Sequence, residues 1–232
     1  MGEWIDMNMK LELDHFFILV EPEAKVAELL VELGLEESFS RVHPGQGTSN
    51  RCFSFSNSKL ELLWLRDEEE ANNGPANGLR FPERSANALG TDSASPFGLI
   101  FNRKVSSSES TNESSDLEMP FNGWSYQPDY FPAPNAFHVG SNSENIKEPL
   151  CIYVPFMEPV ERVIEKGRFK SISHVHVIVP EASLSEELLA ASQSDSLTIE
   201  CGAEHLMEIT FDQKACGLCK DLRPGLPLIL HW

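Results

Sequence analysis

Residues 11–20, LELDHFFILV, alternate so that Leu11, Leu13, His15, Phe17 and Leu19 share one face of an extended segment and Glu12, Asp14, Phe16, Ile18 and Val20 share the other. Few positions on either face are polar. Glu21-Pro22 then opens a helix, because a proline at the first helical position gives up an N–H that has no intrahelical partner. Val26, Leu29, Leu30 and Leu33 follow with the i, i+3, i+4, i+7 spacing of a buried stripe, and Gly34 closes the helix. Strands are predicted around 38–43, 50–56 and 59–66, separated by His43-Pro44-Gly45-Gln46-Gly47-Thr48 and by Asn57-Ser58. The opening of the chain therefore reads β-α-β-β-β.

Between 67 and 95 the sequence becomes acidic and then rich in Asn, Gly, Ala and Ser, which predicts a solvated connection with room for one short helix and no core element. Segments 97–102, 136–140 and 150–156 read as strands, and the Ser-rich, aperiodic stretch 104–117 as a loop. Trp124, Tyr126, Tyr130 and Phe131 are interleaved with Pro128, Pro132 and Pro134. They form either a rigid aromatic lid over an apolar ligand or a satellite core under a long loop, with packing slightly favoured.

From 171 the opening pattern returns. SISHVHVIV alternates Ile172, His174, His176 and Ile178 against Ser173, Val175, Val177 and Val179, and Pro180 ends the strand. Ser183 and Glu186 match a capping box, and Leu184, Leu188 and Ala191 supply a helical stripe. Strands around 197–201, 205–211 and 226–231 complete a second β-α-β-β-β pattern, so the chain reads as an internal repeat with an insertion between its copies. The expected division is 1–70, a connecting segment over 71–170, and 171–232, within one compact α+β unit.

The 232 residues carry 18 Lys+Arg against 36 Asp+Glu, a net charge of −18, which argues against a nucleic-acid partner because phosphate binding needs clustered cations. No apolar run approaches the ~20 residues that span a bilayer. The opening Met-Gly-Glu-Trp-Ile-Asp lacks the basic and apolar regions of a secretory signal, so a cytoplasmic protein without a membrane partner is expected. Five scattered cysteines do not form a disulfide framework in a chain this long and are expected to be reduced thiols.

Setting Leu13-Asp14-His15-Phe16-Phe17-Ile18 over Ile172-Ser173-His174-Val175-His176-Val177 aligns His15 with His174. At these residues the sequence resembles the vicinal oxygen chelate superfamily, and within it the glyoxalase-like domain proteins. HPGQGTSNR at 43–51, LELLWL at 60–65 and the closing DLRPGLPLILHW are similar to segments of that family. The resemblance implies two βαβββ modules of the glyoxalase and bleomycin-resistance type, facing each other across an open cleft. It implies one divalent metal, Zn, Ni, Fe or Mn, held by His15, Glu61 and His174. The fourth ligand position falls among Leu228, Ile229 and Leu230, and Glu208 mimics the spacing one strand early. Neutral imidazoles with a carboxylate suit such ions and leave positions open for substrate oxygens.

The implied activity is that of a small-molecule lyase, isomerase or dioxygenase, with Glu61 as ligand or base and His43 beside it. Arg51, Thr48, Asn50 and Trp64 are the expected substrate contacts. Gly45 and Gly47 permit close backbone approach, and Arg51 is a fixed cation that suits an anionic ligand or, equally, pairs with surface carboxylates. His176 aligns with Phe17 and is expected to pack or to support a neighbour. Cys201, His205, Cys216 and Cys219 suggest a zinc knuckle, but a strand over 206–211 would separate the two pairs by about 20 Å, beyond any shared tetrahedral site. A metal-free binding protein of the same fold is the competing function. A small-molecule ligand is expected, and a homodimer is the one protein partner left open.

Overall fold

A computed structural model describes residues 10–86, 94–103, 119–157, 163–164 and 166–232. The Ser-rich loop expected over 104–117 and the N-terminal signal question lie outside these residues. The apolar opening segment forms β1 (Leu11–Leu19) at the centre of an eight-stranded sheet, which is why both of its faces are apolar. A 3₁₀ turn at Pro22–Ala24 leads into α1 (Ala27–Glu32), followed by β2 (Glu37–His43), β3 (Thr48–Ser54) and β4 (Lys59–Leu65). Two short helices follow, α2 (Glu68–Asn73) and α3 (Phe81–Ala86). The same sheet is completed by β5 (Phe97–Arg103), β6 (Gly123–Tyr126), β7 (Phe137–Gly140) and β8 (Leu150–Tyr153).

A second, five-stranded sheet contains β9 (Ile172–Val179), β10 (Leu197–Cys201), β11 (Leu206–Phe211), β12 (Cys219–Asp221) and β13 (Leu228–His231). Helix α4 (Glu186–Ala191) connects β9 to β10. Its cap is Ser185, whose hydroxyl accepts from the Leu188 N–H at 3.3 Å, two residues beyond the expected capping serine. No helix among the described residues is long and apolar enough to cross a membrane.

The strand order of the first sheet is β2-β3-β4-β1-β5-β8-β7-β6. β1 pairs in parallel with β4, β5 pairs in parallel with β8, and β1 meets β5 antiparallel at the centre. The arrangement of 11–65 is thus repeated by 97–153, the stretch expected to be an insertion. The 171–232 segment does not repeat it. There β9 and β10 are adjacent and parallel, and the order is β10-β9-β11-β13-β12. Hydrophobic alternation marks where strands run but not which strand returns beside which, and the shared strand–helix opening is compatible with both returns.

One face of the eight-stranded sheet packs against the five-stranded sheet. Phe16, Ile18, Phe53, Leu60 and Leu62 meet Val175, Val177, Met207 and Ile209, with Ala27 and Leu30 of α1 and Leu188 of α4 completing the core. Leu29, expected in the buried stripe, is instead exposed. The other face carries Phe17, Leu19, Leu63 and Ile100 under Leu79 and Phe81. The 67–95 connection therefore contributes core, contrary to expectation. Its polar composition hid the neighbouring anchors Leu79 and Phe81.

A β-bulge sets which side chains reach which face. Leu13 pairs with Phe101 and His15 with the next residue, Ile100, so Asp14 is the extra residue of β1. Leu11 and Leu13 consequently lie with Phe16 and Ile18 between the sheets, while His15, Phe17 and Leu19 turn to the opposite face. Unbroken alternation would have placed Leu11 and Leu13 on the side of His15.

Candidate functional site

The free face of the eight-stranded sheet encloses a cavity of about 330 Å³. Its wall is built from alternate residues of neighbouring strands: His15 and Phe17 on β1, Phe39, Arg41 and His43 on β2, and Lys59, Glu61 and Leu63 on β4. The repeated half contributes Ile100, Tyr126, Phe137 and Ile152, and Phe81 of α3 with Tyr130 and Phe131 closes the remaining side. Phe17 and Phe81 are 6.0 Å apart between ring centroids, and Phe131 meets Phe137 edge-on at 5.7 Å. Chemistry and packing are divided between the halves. Every titratable group on the sheet wall except Tyr126 comes from β1, β2 and β4, whereas β5 and β8 present only isoleucines.

Glu61 is the centre of the polar part. It is 7% exposed, its Oε2 accepts from Asn50 Nδ2 at 2.8 Å, and its Oε1 pairs with the Lys59 ammonium and lies 3.6 Å from His15 Nε2. Burial pushes its pKa up, but the charges of Lys59 and His15 and the hydrogen bond from Lys59 outweigh burial and bring it down to about 2. Glu61 is therefore a carboxylate at neutral pH. His15 is fixed from behind, its Nδ1 2.5 Å from Asp14 Oδ2, and Asn102 Nδ2 donates to the other Asp14 oxygen at 3.3 Å.

His43 behaves differently. Burial, opposed by Glu61, lowers its pKa to about 4, so it stays a neutral imidazole at pH 7. Its Nδ1 is 3.0 Å from Thr48 Oγ1, which also accepts from Gln46 Nε2 at 2.8 Å. Gln46 Oε1 in turn accepts from the hydroxyls of Tyr126 at 3.3 Å and Tyr130 at 3.1 Å. Burial pushes both phenols upward, so they remain protonated donors. The two glycines of the 43–48 turn serve this packing. Gly45 and Gly47 have φ of +77° and +71°, and a Cβ on them would meet the Asp129 carboxylate at 2.4 Å and the Asp67 carbonyl at 2.3 Å.

Of the residues expected in a site, His15, His43 and Glu61 line the cavity, and Thr48 and Asn50 lie buried behind them as their hydrogen-bond partners. Arg51 does not reach it. Lying one residue beyond Asn50, it projects from the other side of β3, where Glu37 and Glu28 hold its guanidinium at 2.5 and 2.9 Å. Trp64 likewise alternates with Leu63 and packs against the core between the sheets. Tyr126 belongs to the second apolar cluster, with Trp124 packed behind it at 6.3 Å, and Tyr126, Tyr130 and Phe131 also line the cavity, so both expected roles meet at this stretch. Lys59 and Arg41, absent from the expected set, follow from strand parity, since they alternate with Glu61 and His43. The Asp14 bulge had no local signal.

The expected ligand triad is not assembled. His174 lies on the five-stranded sheet, where its Nε2 is 2.9 Å from Thr198 Oγ1 and burial, then the charges of His176 and Lys214, lower its pKa. Glu208, on the same sheet, is engaged by His231 Nε2 at 2.6 Å, with His176 Nδ1 at 3.9 Å. In the cavity, Glu61 is neutralised by a lysine and both of its oxygens are in use. This donor set does not fit a resident divalent ion, and no group of three or more His, Cys, Asp or Glu disposed to hold one occurs among the described residues.

No protein-family model matches the chain, and no curated protein sequence is similar to it. Among solved structures, a hypothetical protein from Staphylococcus aureus is similar with a TM-score of 0.52 at 13% identity, over 95% of this chain and 99% of that one. A hypothetical protein from Bacillus halodurans C-125 matches over 66% of this chain and 99% of its own at 16% identity, with a TM-score of 0.37. At 13% identity the first likeness concerns the fold alone: α+β, built on two mixed sheets.

Proposed function

We propose that this chain is a metal-independent small-molecule-binding protein of the vicinal oxygen chelate type, its ligand held in the cavity of the eight-stranded sheet. The observation that carries the reading is the cavity itself: a space of about 330 Å³ with apolar walls and a few convergent polar groups, two of which, Glu61 and His43, are fixed in defined ionisation states. Such a space holds roughly a dozen non-hydrogen atoms, if a water-sized unit occupies about 30 Å³. The paired four-strand halves of the sheet agree with the family resemblance, although the repeat falls at 97–153.

The test is a calorimetric titration with 2-naphthol, a neutral aromatic of suitable size. One molecule should bind per chain, and Ile100→Trp, which projects an indole into the cavity from β5, should weaken binding at least tenfold while circular dichroism and cooperative melting persist. Unaltered binding in that variant would place the ligand elsewhere and contradict the reading.

The Asp14–His15 contact favours a second reading, an enzyme in which the His15 imidazole, held from behind by Asp14, takes a proton from a bound substrate. Asp14 would hold the His15 ring with Nε2 directed at Glu61, orienting the pair as a carboxylate orients an imidazole in general acid–base sites. A substrate whose turnover falls at least a hundredfold in His15→Gln with binding retained would establish it.

A further inference from the structure

Three charged side chains line the cavity, and they do not balance. Lys59 and Glu61 neutralise one another, which leaves Arg41. The Arg41 guanidinium stacks over the Phe39 ring at 5.3 Å, and no ion pair is formed by it among the described residues. Its charge nevertheless acts inward, on His43 and on the Tyr130 hydroxyl, both of which face the cavity. In a chain of net charge −18, an uncompensated cation at the rim of an apolar cavity attracts anions locally while the rest of the surface repels them. The neighbouring wall is aromatic, with Tyr130 5.5 Å from His43 between ring centroids and Phe131 beside Tyr130 at 5.3 Å. Tyr130 OH already donates to Gln46, so the guanidinium fork is the donor group left for a ligand head at the mouth.

From this arrangement we infer that the ligand is a monoanionic amphiphile: a carboxylate or similar oxyanion held by Arg41 at the mouth, with an apolar body of up to roughly a dozen atoms against Phe17, Phe81 and Phe137. The inference rests on the small-molecule reading above and deepens it by naming the ligand class. An aromatic acid and a medium-chain acyl carboxylate share this chemistry. A carboxylate head near Phe17, the strand partner of Glu61, would lie beside a like charge whose counter-cation Lys59 is already engaged, which sets the orientation: body inward, head outward.

The test compares 2-naphthoate with 2-naphthamide and with 2-naphthylmethylammonium, and octanoate with octanamide, by isothermal titration of the full chain. In at least one arm the carboxylate should bind about tenfold more tightly than its amide, as expected for one charge-assisted contact at a partly solvated rim. The tighter-binding arm identifies the body. Arg41→Ala should bring carboxylate and amide within about twofold of each other, and Arg41→Lys should retain most of the preference. Equal affinity for carboxylate and amide in both arms, a preference that survives Arg41→Ala, or tightest binding of the ammonium would overturn the anion inference and leave the cavity reading intact. If none of the probes binds, both are overturned.

Discussion

Asp14 Oδ2 lies 2.5 Å from His15 Nδ1, although neighbouring residues of an unbroken strand point to opposite faces of its sheet. The contact exists because β1 carries one residue more than β5 between Leu13 and His15. The same irregularity turns His15 toward Glu61 and sends Leu13 into the core between the sheets. A single extra residue thus separates a packing strand end from a chemical one.

Lys59 and Glu61 should behave as a unit. Lys59→Met leaves a buried carboxylate with only Asn50 and His15 for company, and should cost about 2–4 kcal/mol in unfolding free energy. Glu61→Gln in the Lys59→Met background should restore most of that loss. Urea denaturation of the two single variants and the double variant measures it; additive losses would show that the pair is not coupled.

His43 makes stability depend on pH with a defined sign. Its folded pKa of about 4 lies below its unfolded value near 6.5, so the unfolded chain binds the proton first and stability is lost as pH falls through that window. The loss attributable to this residue should approach about 3 kcal/mol by pH 4. Glu61 acts lower, between 4.5 and about 2, where the unfolded chain again takes up the proton first. Denaturation midpoints from pH 7 to pH 4 should therefore fall less steeply in His43→Gln than in the unaltered chain, and parallel curves would be contrary to this account.

Arg51 should be dispensable for binding. Its ion pairs with Glu37 and Glu28 lie on the other side of β3 and are partly solvated, so Arg51→Ala should cost at most about 1 kcal/mol. The affinity for 2-naphthol should be unchanged. A tenfold loss in that titration would return Arg51 to the site.

The positions of most strands were legible because apolar alternation is a local property, but the short strands Gly123–Tyr126 and Cys219–Asp221 were not, three or four residues being too few to show a period. Also legible were His15 and Glu61, which stood out as polar groups in apolar strands, whereas His43 was picked out by the likeness of the 43–51 turn to a family segment. Strand neighbours were not legible: the opening of 171–232 imitates that of 11–34, yet the true partner of the first half is 97–153, whose second strand is only four residues long. His174 was drawn toward the site by that imitation. Arg51 and Trp64 were misplaced for a simpler reason, since alternation from Asn50 and Leu63 already turns both away. Phe81 carried no signal at all, because one aromatic residue in a polar connection does not announce the surface it covers.

The central claim is that this chain holds its ligand with its own side chains, and the most direct measurement is the titration of 2-naphthol into protein exhaustively treated with EDTA. The account predicts one site per chain with the affinity of untreated protein, unchanged when Zn, Ni, Fe or Mn is restored. Binding that vanishes on chelation and returns with one of these ions would contradict it.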